Sequence, residues 1–278
     1  MPRTRRPALL SVDLPTRVHP HDGDLGGLRP VPRPEDLERQ IELTLQMLDR
    51  CEVRATFFCP AKLAAVLSAD TWRSIAAHHR IGSLGSQGRP PSTMSAEEFE
   101  QDVGAARRTL EDLVGAPVVS HRAPEFLGDD CEPWFFDALL RTGHRIDSSR
   151  LIAQPPEGFT GLEPLGDVEG AFEVPLMAVA VGSRRFAVVG GSQFRLLPLA
   201  SIRLLLDRAE ALGFRPMIFL HPEDFDTKAT PAEPQGPLAW VGRAGELVRR
   251  VGRDTVEDKL KALGYRYAFA PVESVLAG

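Results

Sequence analysis

Residues 34–59 read PEDLERQIELTLQMLDRCEVRATFFC, and this stretch decides the fold. Pro34 suits a first helical position, where its missing N–H is not needed. Leu37, Ile41, Leu45 and Leu48 then recur at helical spacing. The pattern changes at Ala55–Cys59, a β-branched and aromatic run that reads as a buried strand. Upstream, Leu9–Val12 is a similar run and ends in Asp13. Strand, amphipathic helix and second buried strand form the repeating unit of an α/β protein with a largely parallel sheet.

The alternation continues outward from this unit. Ala61–Leu67 and Thr71–His78 read as helices and Ile81–Ser83 as a short strand. Ser95 and Glu98 form a capping box ahead of a helix whose apolar stripe is Phe99, Val103, Ala106, Leu110 and Leu113, with Gly115 as its stop. Strands follow at Pro117–Ser120, Arg145–Asp147, Phe172–Val181, Phe186–Val189, Met217–Leu220 and Tyr265–Phe269. Helices are expected at Glu132–Arg141, Pro198–Leu212 and Thr255–Leu263. Residues 225–240 are rich in Pro and Thr and read as a surface loop. No repeat, low-complexity tract or linker divides the chain, so residues 1–278 are expected to form one domain.

Composition narrows the function. Lys+Arg 33 against Asp+Glu 38 gives a net charge of -5, without the basic footprint of a nucleic-acid binder. No apolar run approaches the roughly 20 residues of a membrane span. The apolar run after the basic start is broken at Asp13, too early for a signal-peptide core, so a cytoplasmic protein is expected. Cys51, Cys59 and Cys131 make no disulfide framework and read as buried free thiols.

Ligands of α/β sheets gather at the carboxyl ends of the strands. Asp13, His121, Arg122, Asp147 and His221 all stand at such ends. Asp13 could take a proton, His221 could give one, and Arg122 could fix a carboxylate. Each could equally be a solvated strand-end residue. The run His19-Pro20-His21-Asp22-Gly23-Asp24 is metal-capable but meets no ligand spacing and reads as an exposed loop. His78 and His79 end a helix, where a cation complements the dipole. Gly190-Gly191-Ser192 follows a strand but lacks any phosphate-loop pattern, and no GxSxG is present.

A family resemblance emerges from seven segments in order: Leu10–Asp13, Arg54–Cys59, His79–Ser83, His121–Pro124, Gly143–Ser149, Gly190–Pro198 and Phe219–Pro222. Together they resemble polysaccharide deacetylases of the NodB-homology type, carbohydrate esterase family 4, in their exopolysaccharide-linked subgroup. The resemblance implies an irregular NodB-type (β/α) barrel of about seven strands. It also implies hydrolysis of an N-acetyl amide with a divalent metal held by one carboxylate and two histidines. Asp13 matches the family's general base, Arg122 the arginine that holds it, and His221 the general acid.

The metal positions break the pattern. Leu14-Pro15-Thr16 replaces the acidic ligand expected after Asp13, and Leu84 and Gly88 stand where the ligand histidines belong. Glu223-Asp224 replaces the usual Trp-Glu after His221-Pro222, removing an aromatic wall for sugars. No metal or other cofactor is therefore expected. The leading expectation is a metal-independent enzyme using Asp13 and His221 on a small activated substrate. C–N hydrolysis of an amide or ring amide leads, with elimination, isomerisation or cyclisation as alternatives. The superfamily's allantoinases, regarded as metal-independent, set a precedent for ring opening. Ser83, Ser86, Gln87, Asp147 and Glu223 are the expected substrate-binding residues. The competing readings are a non-catalytic pseudo-deacetylase with a binding or regulatory role, and a metal enzyme using Asp13, His19, His21 and His79 as substitute ligands.

Overall fold

The structure is a computed structural model and describes residues 4–16, 32–128, 131–182, 184–228 and 250–277. In chain order the elements are β1 (Arg6–Asp13), α1 (Pro34–Arg50), β2 (Thr56–Cys59), α2 (Ala69–His78), β3 (Arg80–Ser83), α3 (Ala96–Val114), β4 (Ser120–His121), α4 (Trp134–Arg141), β5 (Ile146–Asp147), β6 (Leu151–Ile152), β7 (Glu163–Pro164), β8 (Phe172–Glu173), β9 (Leu176–Val181), β10 (Arg184–Ala187), α5 (Gly191–Leu196), α6 (Leu199–Ala211), β11 (Met217–Leu220), α7 (Val256–Gly264) and β12 (Tyr267–Ala270). Short 3-10 turns follow β2 at Ala61–Ala65 and β11 at Pro222–Phe225, and one follows β12 at Val272–Ala277.

The main sheet runs β11-β1-β2-β3-β4-β5-β8-β7 and curls into a half-barrel. Its strands are parallel except for β7, which lies antiparallel on β8. β1 sits between β2 on one side and two strands on the other: Leu9–Val12 pair with β11, and Arg6–Leu9 pair with β12. A smaller sheet, β10-β9-β6, lies apart. The expected α/β class and NodB-type (β/α) barrel are both present.

Strand parity divides the side chains between two cores. Leu10, Val12, Phe57 and Ile218 pack outward under Leu37, Ile41, Trp72, Leu110, Ile202 and Leu260 of the helices. Leu9, Phe58, Ile146, Val174, Met217 and Phe219 form a second cluster on the concave face. Because the side-chain period of a strand is two residues, this parity fixes which strand-end residues can reach the mouth.

Local signals act as expected at several places. Pro34 opens α1, which buries Leu37, Ile41 and Leu48; Leu45 is only partly buried and Thr44 takes the inner position. At α3 the capping box is complete: Glu98 N–H donates to Ser95 Oγ at 3.2 Å and Ser95 N–H to Glu98 Oε2 at 2.8 Å. Gly115 closes that helix at φ 66°, the left-handed conformation that glycine adopts without strain.

Other expectations are corrected. The strand expected over Phe172–Val181 splits into β8 and β9, because Pro175 has no N–H for a ladder. The strand expected over Pro117–Ser120 is confined to β4 at Ser120–His121. The helix expected over Ala61–Leu67 is a 3-10 turn confined to Ala61–Ala65. Gly191–Leu196, not anticipated as helical, forms α5. Of the thiols, Cys59 is buried while Cys51 and Cys131 are half-buried. The His19–Asp24 run lies outside the described residues, as does all but the first part of the 225–240 loop. Among the described residues, no helix is long and apolar enough to cross a membrane.

Candidate active site

Asp13, Arg122 and His221 stand at or just beyond the carboxyl ends of β1, β4 and β11, on the concave side of the sheet. Arg122 is the centre of this arrangement and is 1% exposed. Its Nη1 donates to Asp13 Oδ1 at 2.8 Å and to Ser11 Oγ at 2.7 Å. Nε donates to the Ser148 carbonyl and Nη2 to Ser148 Oγ, both at 2.9 Å. Met217 Sδ, at 3.3 Å from Nη2, completes the set. The guanidinium also lies over the Phe58 ring, 4.3 Å from its centroid. Every N–H direction of the fork is thereby used, and the side chain acts as a fixed clamp. Asp13, with 14% of its side chain exposed, is held in one orientation yet still reaches solvent.

His221 is built differently. Its own N–H donates to Asp224 Oδ2 at 2.8 Å, and its Nδ1 lies 3.5 Å from the same oxygen. Asp224 Oδ1 in turn accepts from Arg195 Nε at 2.6 Å. Asp224 and Arg195 are both buried, whereas 30% of the His221 side chain is exposed. Burial pushes the His221 imidazole down, but the Asp224 hydrogen bond and charge, with Asp13 and Glu223 behind them, raise it above its ordinary value. His221, by hydrogen bond and charge, and Arg195 hold Asp224 below the usual carboxylate range against its burial. The Nδ1 edge is committed to Asp224, which leaves Nε2 as the edge for a substrate.

The Gly190–Arg195 segment is the mount for this imidazole. Gly190 bridges to Phe219 in parallel fashion, and a Cβ there would lie 2.0 Å from the Phe219 ring. Gly191, at φ +28°, passes so close that a Cβ would lie 2.9 Å from His221 Nδ1. Arg195 is fixed further by Nη1 to the Val251 carbonyl at 2.8 Å. Lys259 Nζ caps α5, donating to the Phe194 and Arg195 carbonyls at 3.0 and 2.7 Å.

The expected pocket residues are only partly brought here. Ser83, His121 and Asp147 form one lateral row with Cys59 and Glu173. That row faces the helices, so the strand-end position of Asp147 does not place it at the mouth. Asp147 is fully buried and bonds His121 and Ser149, which corrects its expected substrate contact. Ser83 is also fully buried, its Oγ accepting from the Gly85 N–H. Ser86 is tied to Asp102 of α3 through its N–H and its hydroxyl, both at 2.8 Å. Gln87 is exposed, and Glu223 is half-buried beside His221. Sequence reading missed Ser11, Ser148, Arg195 and the role of Asp224. Only the spacing His221-Pro222-Glu223-Asp224, a capping arrangement, could have signalled the last of these.

The residues do not fit the metal implied by the family. Leu14 and Leu84 are buried in apolar clusters. A Cβ on Gly88 would lie 2.7 Å from Thr16 Cβ, so a ligand side chain has neither donor nor room there. Among the described residues no group of His, Cys, Asp and Glu could hold a metal ion. His79, a proposed substitute ligand, sits before β3 at the opposite end from the mouth, where its Nδ1 accepts from the Ala55 N–H at 3.2 Å. Burial lowers its pKa to about 4, so it carries no charge for a helix dipole at neutral pH.

Residues 162–277 match the model of a domain of unknown function, DUF3473. No curated protein matches the chain. Among solved structures, a protein assigned as a polysaccharide deacetylase from Mycobacterium smegmatis matches with a TM-score of 0.57 and 16% identity, over 86% of this chain and 76% of the other. A mutant of BA3943, a carbohydrate esterase family 4 pseudoenzyme from Bacillus anthracis with restored activity, matches with a TM-score of 0.50 and 12% identity, over 99% and 69%. The 4-alpha-glucanotransferase of Thermococcus litoralis matches at 0.55 and 13%, over 98% of this chain and 40% of the other. Likeness at these identities speaks for the fold rather than for an activity. With the half-barrel, it shows that the chain shares the NodB-type (β/α) barrel fold of polysaccharide deacetylases of carbohydrate esterase family 4.

Proposed function

We propose that the protein is a metal-independent, deacetylase-like enzyme that hydrolyses a C–N bond in a small activated amide, such as a strained ring amide or an imide. The observation that carries this reading is the pairing of two separately built devices at one mouth. Asp13 is clamped by a buried guanidinium, and His221 is backed by a buried carboxylate–guanidinium pair. Such ion pairs are costly to bury, and here they hold a carboxylate and an imidazole at one mouth.

The chemistry follows from the two groups. The Asp13 carboxylate takes a proton from water as its oxygen bonds to the carbonyl carbon. The C–N bond then breaks while His221 Nε2 delivers its proton to the departing nitrogen. The acid must be charged when it acts, and the Asp224 hydrogen bond and charge shift the His221 imidazole toward that form. No residue described at the mouth replaces a Lewis acid, whose loss costs several kcal/mol of charge stabilisation. That is why the substrate must be activated already. The same acid–base pair also serves elimination, isomerisation or cyclisation at an acidic C–H. The proposal includes a cytoplasmic protein acting on a small molecule, with no nucleic-acid or membrane partner, built as one domain.

The alternative, a pseudo-deacetylase that binds without turnover, is favoured by the loss of every ligand position. Elemental analysis of protein purified without chelators separates these readings from a substitute metal site. So does a panel of cyclic amides and imides assayed with wild type, Asp13→Asn and His221→Ala. Turnover that resists chelators and disappears in both variants supports the proposal. Near-stoichiometric zinc, nickel or cobalt with chelator-sensitive activity overturns it. Ligand binding that survives Asp13→Asn, with no turnover in wild type, makes the pseudo-deacetylase the better reading.

A further inference from the structure

The helix-facing row of the sheet carries ionisable groups that the acid–base pair does not use. His121, Asp147 and Glu173 are register partners on β4, β5 and β8, and all are at most 1% exposed. His121 Nδ1 lies 2.7 Å from Asp147 Oδ1. Ser149 donates to Asp147 through its Oγ at 2.8 Å and its N–H at 3.1 Å. Glu173 Oε1 accepts from the Arg150 N–H at 2.9 Å. Glu173 Oε2 is buried and meets no donor. A buried acceptor without a donor is costly, and two adjacent carboxylates in a dry wall cannot both ionise.

A hydrogen on Glu173 resolves both problems at once. We propose that one proton is held between the carboxyl groups of Glu173 and Asp147, and that this proton locks together the strand ends that support Arg122. Glu173 then becomes a donor to Asp147, which accepts from His121 and Ser149 on its other sides. Burial and the Asp147 charge raise the Glu173 carboxyl well above its ordinary range. Against burial, the bonds from His121, Glu173 and Ser149 hold Asp147 below its own.

The Arg150 charge and backbone N–H oppose the proton by pulling the Glu173 carboxyl down, but burial and Asp147 outweigh them. The Arg150 side chain pairs with Glu163, the β7 partner of Glu173. His144 is pressed down to about 3 by burial and by His121, so it stays neutral. Burial, with the Asp147 charge, raises the Cys131 thiol to about 12.

The lock reaches the mouth through the next two residues of the chain. Ser149 Oγ, fixed by Asp147, accepts from the Ala123 N–H at 2.8 Å, and Ser148 holds Arg122 by its carbonyl and hydroxyl. Loss of the proton would set two carboxylates against each other directly behind this seat. The lock itself does not depend on the proposed activity; its effect on Asp13 rests on that reading of the site.

Two measurements that need no substrate test the lock. The first is the infrared spectrum of the full-length protein at pH 8, with and without 13C-labelled glutamate. The proposal expects a protonated-carboxyl band that shifts with the label. This band should persist in Glu273→Gln, which removes a second glutamate whose carboxyl is raised by burial, and vanish in Glu173→Gln. Absence of the band from wild type overturns the proposal whatever the variants do.

The second is denaturant unfolding against pH for wild type and Glu173→Gln, whose amide keeps both hydrogen bonds. A carboxyl whose pKa is raised by folding loses stability as pH climbs above the unfolded value, and the loss stops at the folded value. The wild-type unfolding constant should therefore rise relative to Glu173→Gln by up to about tenfold per pH unit across that window. A ratio independent of pH overturns the proposal. Should Glu173→Gln fail to fold, the labelled band in Glu273→Gln decides alone. Turnover, once a substrate is known, is a separate readout: a locked proton with unaffected activity would refute the link to the site and leave the lock standing.

Discussion

Replacing Arg122 by methionine removes the clamp while keeping most of its volume. The guanidinium is 1% exposed and bonds Asp13, Ser11, Ser148 and Met217. Breaking a buried ion pair from one side costs roughly 3–5 kcal/mol, because the other charge is left uncompensated. Asp13 keeps 14% exposure, so some solvent relief is available and about 3 kcal/mol is the better figure. Part of this comes from the stranded carboxylate and part from the Ser148 carbonyl and other acceptors left behind. Only the first part is removed by Asp13→Asn. In denaturant unfolding, the double variant Asp13→Asn/Arg122→Met should be more stable than Arg122→Met by on the order of 2 kcal/mol, a coupling well above the scatter of independent sites. Strictly additive losses, or an Arg122→Met loss below about 1 kcal/mol, would refute the clamp.

Two further outcomes concern the histidine mount. Gly191→Ala places a methyl where only 2.9 Å separates Cβ from His221 Nδ1, at a backbone φ of +28°. The imidazole should be displaced, cutting turnover by at least about tenfold, equivalent to roughly 1.4 kcal/mol in the barrier; full activity in this variant would remove the mount from the mechanism. Asp224→Asn takes away the hydrogen bond and charge that raise His221. An NMR titration of the ring should show its midpoint fall, and an unmoved midpoint would contradict the pairing. The sign for stability follows. The His221–Asp224 contribution is complete below the unfolded histidine value of about 6.5 and is lost as pH rises through the raised folded value. Wild type should therefore lose stability over that window relative to Asp224→Asn.

Much of the fold is legible in the residues because local chemistry and burial agree there. Pro34, the Ser95–Glu98 box and Gly115 mark helix limits that the structure respects. Asp13, Arg122 and His221 are recognisable because strand ends in a parallel sheet converge. Parity was the signal left unread. His121 and Arg122 are adjacent at a strand end, so opposite faces are open to them, and likewise Asp147 and Ser148. One of each pair turns to the helices and the other to the mouth. The Arg195–Asp224 contact was not legible, since it joins residues from separate elements through a hydrogen bond that no local pattern encodes. The break at Pro175 was available from the start, because a residue without an N–H argues against an unbroken strand from 172 to 181.

The divided partnership of β1 has a consequence for how the chain acquires its structure. The strand's Leu9–Val12 half is completed only by residues 217–220, and its Arg6–Leu9 half only by residues 267–270. Contacts this distant along the chain slow folding, because the intervening length must be ordered before they form. During synthesis from the amino end, this apolar strand is made well before its partners and waits with one edge open until the later segments emerge. The pairing that holds Asp13 in place is thus completed late, and chains halted before residue 217 should present that open edge to other molecules.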